Sequence, residues 1–198
     1  MSDIMKSIPF GQLTEWILNE YKKTGQVFGV QKAYVADPDK TIEIFGRKLE
    51  NPVGPAAGPH TQLAQNLVAA YVAGARFCEL KTVQKMDGPE LSACVPKPCI
   101  VAEDEAYNCE WSTELYVPQA MAEYIKGWIL IHVIAKEFGL GAQDGFQFNI
   151  SVGYDLEGIK TPKIDSFINN MMEAKDTEIF KECKQWLLDN IDRFEKVT

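Results

Sequence analysis

The chain has 198 residues, 46% of them hydrophobic, and a formal net charge of −8. That is enough apolar material for one sizeable core, and the acidic balance argues against nucleic acid and anionic membranes as partners. No apolar run reaches the length of a membrane span, and residues 1–6 lack the apolar centre of a signal peptide, so the expected compartment is the cytoplasm. The 5 cysteines are odd in number and scattered, which points to reduced thiols rather than a disulfide frame.

Leu13, Trp16, Ile17 and Tyr21 recur at helical spacing, so a first helix is expected over residues 10–23, ended by Thr24-Gly25. Thr41-Ile-Glu-Ile-Phe45, the turn residues Gly46 and Arg47, and then Leu49 predict a small β-hairpin. Residues 1–50 make one expected unit, a helix and a hairpin, and residues 51–198 the other. The run from Asn51 to His60 is a short apolar stretch ending in small residues. A helix follows over residues 61–73, with Leu63, Leu67 and Tyr71 on one face, Thr61 as its N-cap and Gly74 as its stop. Phe77-Cys-Glu-Leu-Lys-Thr-Val83 reads as the next strand. Strand, glycine loop, helix, turn and strand make one βαβ unit.

Residues 84–117 form a long stretch punctuated by Gly88 and several prolines, and a loop of that length is functional or disordered. Pro118 opens a strong helix to residue 138, stopped by Gly139. Residues 146–152 alternate. Phe146, Phe148, Ile150 and Val152 are assigned to the face that meets the outer helices, and Gln147, Asn149 and Ser151 to a barrel interior. Gly153-Tyr154-Asp155 ends this strand. Two further helices are expected over residues 164–175 and 177–194. Strands separated by helices mean a parallel α/β fold. Three core strands, near Val53, Phe77 and Phe146, leave open edges. Either the sheet is small and open, or the chain is the first part of something larger.

The chemistry concentrates where the first two core strands end. Ala56, Ala57 and Gly58 let backbone N–H groups approach a flat ligand closely, and Lys81-Thr82 end the neighbouring strand beside that position. This is a cofactor site in outline. Lys81 also has a plainer reading, an ion pair with Glu79 two residues back on the same strand face. In the long loop, Asn108 and Glu110 pair an amide with a carboxylate, a set able to hold the edge of a cyclic imide or ureide. Equally, Asn108 stabilises its own turn. His60 reads as a helix-start residue and His132, one turn after Trp128, as structural. Asn149 and Ser151 read as interior packing. Cys94, Cys99 and Cys109 lack a close Cys-x-x-Cys pair and a nearby histidine, so no metal site is assigned.

Asn51-Pro-Val-Gly-Pro-Ala-Ala-Gly58 resembles the first barrel strand of the dihydroorotate and dihydropyrimidine dehydrogenase superfamily, and residues 42–49 resemble its barrel-bottom hairpin. Glu79-Leu-Lys-Thr-Val83 resembles the second strand, Tyr107-Asn-Cys-Glu110 the element that holds the pyrimidine, and Ile150-Ser-Val-Gly-Tyr154 the third strand. Pro96-Lys-Pro98, Glu103-Asp-Glu105 and the N-terminal register most closely resemble a narrower family, the selenate reductase iron–sulfur subunits. The resemblance runs from Ile8 to the C-terminus.

It implies the N-terminal part, about three βα units, of an FMN-dependent (β/α)8 barrel in an oxidoreductase. Ala56, Ala57, Gly58, Lys81 and Thr82 would contact FMN, and Asn108 and Glu110 a small-molecule substrate; an oxyanion such as selenate is the other substrate class implied. Iron–sulfur clusters and FAD/NADPH belong to downstream modules of the same polypeptide. The family's fourth strand, with an Asn-x-Ser-x-Pro signature, is not reached before Thr198, nor is the phosphate cradle after strands seven and eight. The 198-residue piece is therefore expected to be inactive alone, to bind FMN poorly and to self-associate through open strand edges. The rival expectation is a barrel that has lost its flavin and serves as a docking module.

Overall fold

The computed structural model describes residues 5–37, 39–94, 100–101, 106–107 and 112–198. Asn108, Glu110, Cys99 and Cys109 lie outside the described residues, as do Pro96-Lys-Pro98 and Glu103-Asp-Glu105.

The first helix, α1 (Phe10–Thr24), buries Phe10, Leu13 and Ile17 and ends at Gly25, whose φ of 70° lets its N–H reach Tyr21 O. The hairpin pairs β1 (Ile42–Ile44) with β2 (Arg47–Leu49), Ile42 opposite Leu49. Its two turn residues, Phe45 and Gly46, take φ of 53° and 73°, the mirror-image turn that matches strand twist. After residues 53–55 and a 3-10 turn at Pro59–Thr61 come α2 (Ala64–Val72) and β3 (Phe77–Glu79).

Residues 84–117 are not one structureless loop. They hold α3 (Gly88–Cys94) and a minimal antiparallel pair, β4 (Ile100–Val101) with β5 (Ala106–Tyr107). Next come α4 (Val117–Phe138), β6 (Gln147–Asn149), a single turn α5 (Leu156–Ile159), α6 (Pro162–Met172) and α7 (Glu178–Asp189). Pro118 stands in the first turn of α4, and Gly139, at φ 69°, closes it.

β3 lies between its neighbours. It pairs in parallel with β6, Phe77 opposite Gln147 and Glu79 opposite Asn149. On its other side the N–H groups of Phe77 and Glu79 donate to Val53 O (3.3 Å) and Pro55 O (3.0 Å), a parallel spacing. The expected strand near Val53 is therefore an extended segment bonded in one direction. Pro55 has no N–H to return a bond to β3. Gly54 allows the approach, since a Cβ there would lie 1.7 Å from Phe77 O.

The helices cover one side of this sheet. Leu13, Ile17, Val68, Ile131 and Cys183 share a core with Phe146, so α1 packs with the rest of the chain. Leu67, Leu80, Val83, Tyr124 and Phe167 form a second cluster, against which Phe148, Ile150 and Val152 pack. The apolar face of residues 146–152 thus points to the helices, as the alternation predicts. A fully buried side chain of this cluster, such as Leu67 or Leu80, contributes about 1.5–3 kcal/mol by leaving water. Among the described residues, no helix is long and apolar enough to cross a membrane.

The first turn of α2 is held from a distance. Thr61 was expected to cap it, but Thr61 instead bonds Gly58 within the preceding turn. Glu123 of α4 takes the role. Its Oε2 accepts the Ala64 N–H at 2.9 Å, and its Oε1 receives Lys126 Nζ at 2.6 Å and the Ser7 hydroxyl. Lys126 also donates to Ile8 O at 2.7 Å, which fixes the segment leading into α1.

Candidate functional site at the carboxyl ends of the strands

In a parallel α/β sheet, ligands collect where the strands end. Here that edge gathers the glycine loop, the end of β3 and the end of β6. The hairpin lies at the other end: Phe45 meets Phe77, the first residue of β3, with ring centroids 6.4 Å apart, and Glu50 N–H bonds Gly145 O just before β6.

The glycine loop is small and open. Ala56 is exposed, Ala57 half-buried and Gly58 buried. Glu79 rises from β3 beside it, exposed, and its Oε2 accepts the Ala57 N–H at 3.3 Å. Gly58 N–H donates to Thr61 Oγ1 at 3.1 Å. The loop is therefore braced from beneath, with the exposed Ala56 presenting a methyl group and no bulk.

Beyond Glu79 the β3–β6 register changes. Glu79 faces Asn149, whereas Val83 faces Val152. Four steps on one strand match three on the other, so the β3 strand carries a bulge at Lys81-Thr82. Bulges of this kind re-aim side chains at the rims of sheets. Leu80 and Val83 both point into the core, while Thr82 Oγ1 lies 3.0 Å from Ser151 Oγ on the opposite face. Lys81 is the extra residue and is only 6% exposed. Its backbone is fixed by its own N–H to Thr61 O (3.4 Å) and by the Tyr124 hydroxyl donating to its carbonyl at 2.7 Å. Burial pushes the Tyr124 phenol up, so it stays a neutral donor.

Asn149 donates to Cys78 O at 3.3 Å and accepts from Gln147 at 2.7 Å. Its amide thus serves the sheet. Burial pushes the Cys78 thiol up to about 12, and Cys183 likewise. Neither is a thiolate at neutral pH, and among the described residues no His, Cys, Asp and Glu group could hold a metal. His60 is exposed after the loop.

Sequence reasoning missed the returning segment, residues 112–115. Thr113 N–H donates to Thr82 O at 2.7 Å, and Gln62 Oε1 accepts from Thr113 Oγ1 (2.9 Å) and Glu114 N–H (2.8 Å). Gln84 donates to Ser112 Oγ at 3.1 Å. The far end of the long loop is thereby tied both to the strand end carrying Lys81-Thr82 and to the turn after the glycine loop. Gln62, Ser112 and Thr113 are fully buried polar residues, and no local motif marks them, because their partners are remote in sequence. Two ion pairs, Lys163 with Asp87 at 2.6 Å and Lys85 with Asp155 at 3.0 Å, brace the same edge. Lys85 holds the Asp155 carboxyl below the usual range.

Compared with known proteins, residues 28–198 match the family model described as "Oxidoreductase YgfK, N-terminal TIM-barrel domain". Two Escherichia coli proteins named "Putative oxidoreductase YgfK", from strain K12 and from O157:H7, are each 47% identical over 190 residues. The aligned region is 94% of this chain and 18% of theirs, so the chain spans about a fifth of the length of these relatives. No solved structure matches the chain.

Proposed function

Because this chain belongs to the family of oxidoreductase YgfK N-terminal TIM-barrel domains, we propose that it forms the opening part of a flavin-dependent barrel. The barrel is of the dihydroorotate dehydrogenase type, and the domain works within a longer iron–sulfur oxidoreductase. The observation that carries this reading is the meeting of three parallel segments at one edge. There the small glycine loop, the Lys81-Thr82 bulge and the Thr82–Ser151 hydroxyl pair stand side by side.

The residues suit FMN. Ala56, Ala57 and Gly58 offer a low surface for a flat ring, and an added Cβ at Gly58 would strike the His60 ring at 2.6 Å. Bound there, the flavin would supply transfer of two electrons to or from a small molecule. Lys81 would place a positive charge at the ring's edge and so favour its reduced, anionic form. Thr82 would orient the ring by its hydroxyl. Residues 112–115, tied to Gln62 and Thr82, would hold the loop bearing Asn108 and Glu110, the proposed contacts to the substrate. A reducible heterocycle fits that amide–carboxylate pair, and an oxyanion such as selenate is the other substrate class. Electrons would pass to flavin and iron–sulfur modules elsewhere in the polypeptide.

The test is to express the complete barrel domain, free of downstream modules, denature it and identify released flavin. FMN at close to one per domain is expected. A purified, folded barrel that releases none would sink the reading and leave a docking scaffold.

A further inference from the structure

In a regular parallel ladder, a residue donates its N–H to one residue of the next strand and accepts, on its carbonyl, the N–H two residues further along. Glu79 begins such a pair with residues 53–57. Its N–H donates to Pro55 O at 3.0 Å, so the regular continuation would bring the Ala57 N–H to Glu79 O. The Ala57 N–H goes instead to the Glu79 carboxylate, with Oε2 at 3.3 Å. The side chain stands in for the residue's own carbonyl.

This exchange of acceptors has a geometric result. Hydrogen-bonded strands lie about 4.8 Å apart, which leaves no room between them for a flat ligand. At Ala57 the loop is held at the tip of a side chain, so it stands off from β3 where the strands end. Glu79 is the last residue of β3, exposed, between the buried Cys78 and Leu80. It is also the loop's return contact. Pro55 has no N–H, and the Val53 N–H turns back to Asn51 Oδ1 at 2.8 Å. Among the described residues, the Ala57 bond is therefore the only one that residues 53–57 donate to β3. The bulge at Lys81-Thr82 begins two residues later, so β3 departs from both of its neighbours at nearly the same level.

We propose that Glu79 is a positioning residue that acts as a spacer: the length of its side chain holds the glycine loop off the end of β3 and keeps open the gap that receives the edge of a flat cofactor. The proposal rests on the flavin reading above and deepens it. Reach, rather than charge, is what the role requires. Glutamine has the same reach and an oxygen able to accept the Ala57 N–H. Aspartate keeps the charge but is one methylene short. Alanine has neither reach nor charge.

The full-length protein, stripped of FMN, is titrated with FMN by fluorescence as wild type, Glu79→Gln, Glu79→Asp and Glu79→Ala. Melting temperature and hydrogen exchange of the peptide containing Ala57 are read for each without ligand. Glu79→Asp and Glu79→Ala should bind FMN roughly tenfold more weakly, the order expected when one loop residue must be ordered on binding. Glu79→Gln, the conservative variant, should restore the affinity. Exchange at Ala57 should quicken in the two short variants alone, and all melting temperatures should stay with the wild type, because the side chain is exposed. Wild-type affinity in Glu79→Asp, or a loss in Glu79→Gln equal to that in Glu79→Ala, overturns the proposal by making charge the cause. Weaker binding that comes with a much lower melting temperature also overturns it, by making Glu79 structural. Unaltered exchange in Glu79→Ala defeats the spacer and leaves the flavin reading standing. Wild-type protein that takes up no FMN defeats the flavin reading itself, and the role of Glu79 with it.

Discussion

Arg76 and Glu50 meet at 2.5 Å beneath the sheet, the guanidinium fully buried and the carboxylate nearly so. Arg76 also donates to Tyr71 O, Ala75 O and Leu140 O and lies 3.9 Å from the Tyr71 ring centroid. Glu50 in turn accepts the Ala142 N–H at 2.6 Å. The pair joins the end of the hairpin, the start of β3 and the loop before β6. Burial pushes the Tyr71 phenol up to about 12, with Glu50 adding to the effect and Arg76 opposing it.

Arg76→Met should therefore destabilise the chain by about 3–5 kcal/mol, the usual result of leaving one buried charge without its partner. Glu50→Gln should cost less, since it keeps the hydrogen-bond geometry. Urea denaturation of both variants checks this, and equal midpoints for wild type and Arg76→Met would refute it.

Gly54→Ala should separate residues 53–55 from β3, because the new methyl group would stand 1.7 Å from Phe77 O. A loss of at least about 3 kcal/mol is expected, at the upper end of overpacking changes. Hydrogen exchange reads it directly: the amides of Phe77 and Glu79 should lose protection while those of α4 keep it.

Lys81→Ala and Glu79→Gln should behave differently. Glu79 is exposed and accepts a single backbone N–H, so Glu79→Gln should move stability by no more than about 1 kcal/mol. Lys81→Ala in the full-length protein should lower the flavin reduction potential, because a nearby positive charge favours the reduced, anionic form. Thermal melting and potentiometry separate the two. A Lys81→Ala variant with unchanged potential that melts well below Glu79→Gln would leave the lysine with a structural role alone.

His132 predicts a pH effect. Its ring is packed between Trp128 and Phe146, with centroids 4.0 and 5.1 Å away, and Nδ1 lies 3.4 Å from Gln143 Oε1. Burial lowers its pKa, with Gln143 and Asp144 opposing. The folded state thus holds the neutral ring, and the unfolded state binds the proton first as pH falls. The contribution is complete above the unfolded value of about 6.5 and is lost as pH drops from there toward the lower folded value. Denaturation midpoints at pH 5, 6, 7 and 8 should fall on the acid side, and His132→Gln should flatten that part of the profile.

Much of this fold was legible in local pattern. The stripe Leu13, Ile17 and Tyr21 placed α1, Pro118 and Gly139 bracketed α4, and the alternation from Phe146 to Val152 assigned both faces of the third strand. What escaped was nonlocal or hidden by a local exception. Residues 53–55 look like a strand, yet Pro55 removes the donor that a full ladder requires. The period-2 rule placed Lys81 on the face of Glu79, and a bulge, which has no reliable sequence mark, interrupts that alternation at Lys81-Thr82. Thr61 has the composition of an N-cap but is used one turn earlier. The Gln62–Thr113 and Glu123–Ala64 bonds each join residues more than fifty positions apart. Of the candidate site, the glycine loop and the strand end at Lys81-Thr82 were readable from spacing, whereas the returning residues 112–115 were not, because their partners are remote in sequence.

The cap on α2 has a consequence for biosynthesis. Its first N–H is satisfied by Glu123, 59 residues later in the chain. While the polypeptide emerges from the ribosome, α2 must wait with a frayed start until at least the second turn of α4 has been translated. The segment at Ser7 waits equally for Lys126. Vectorial synthesis therefore cannot complete the amino-terminal third first; its closure is deferred to the moment α4 docks.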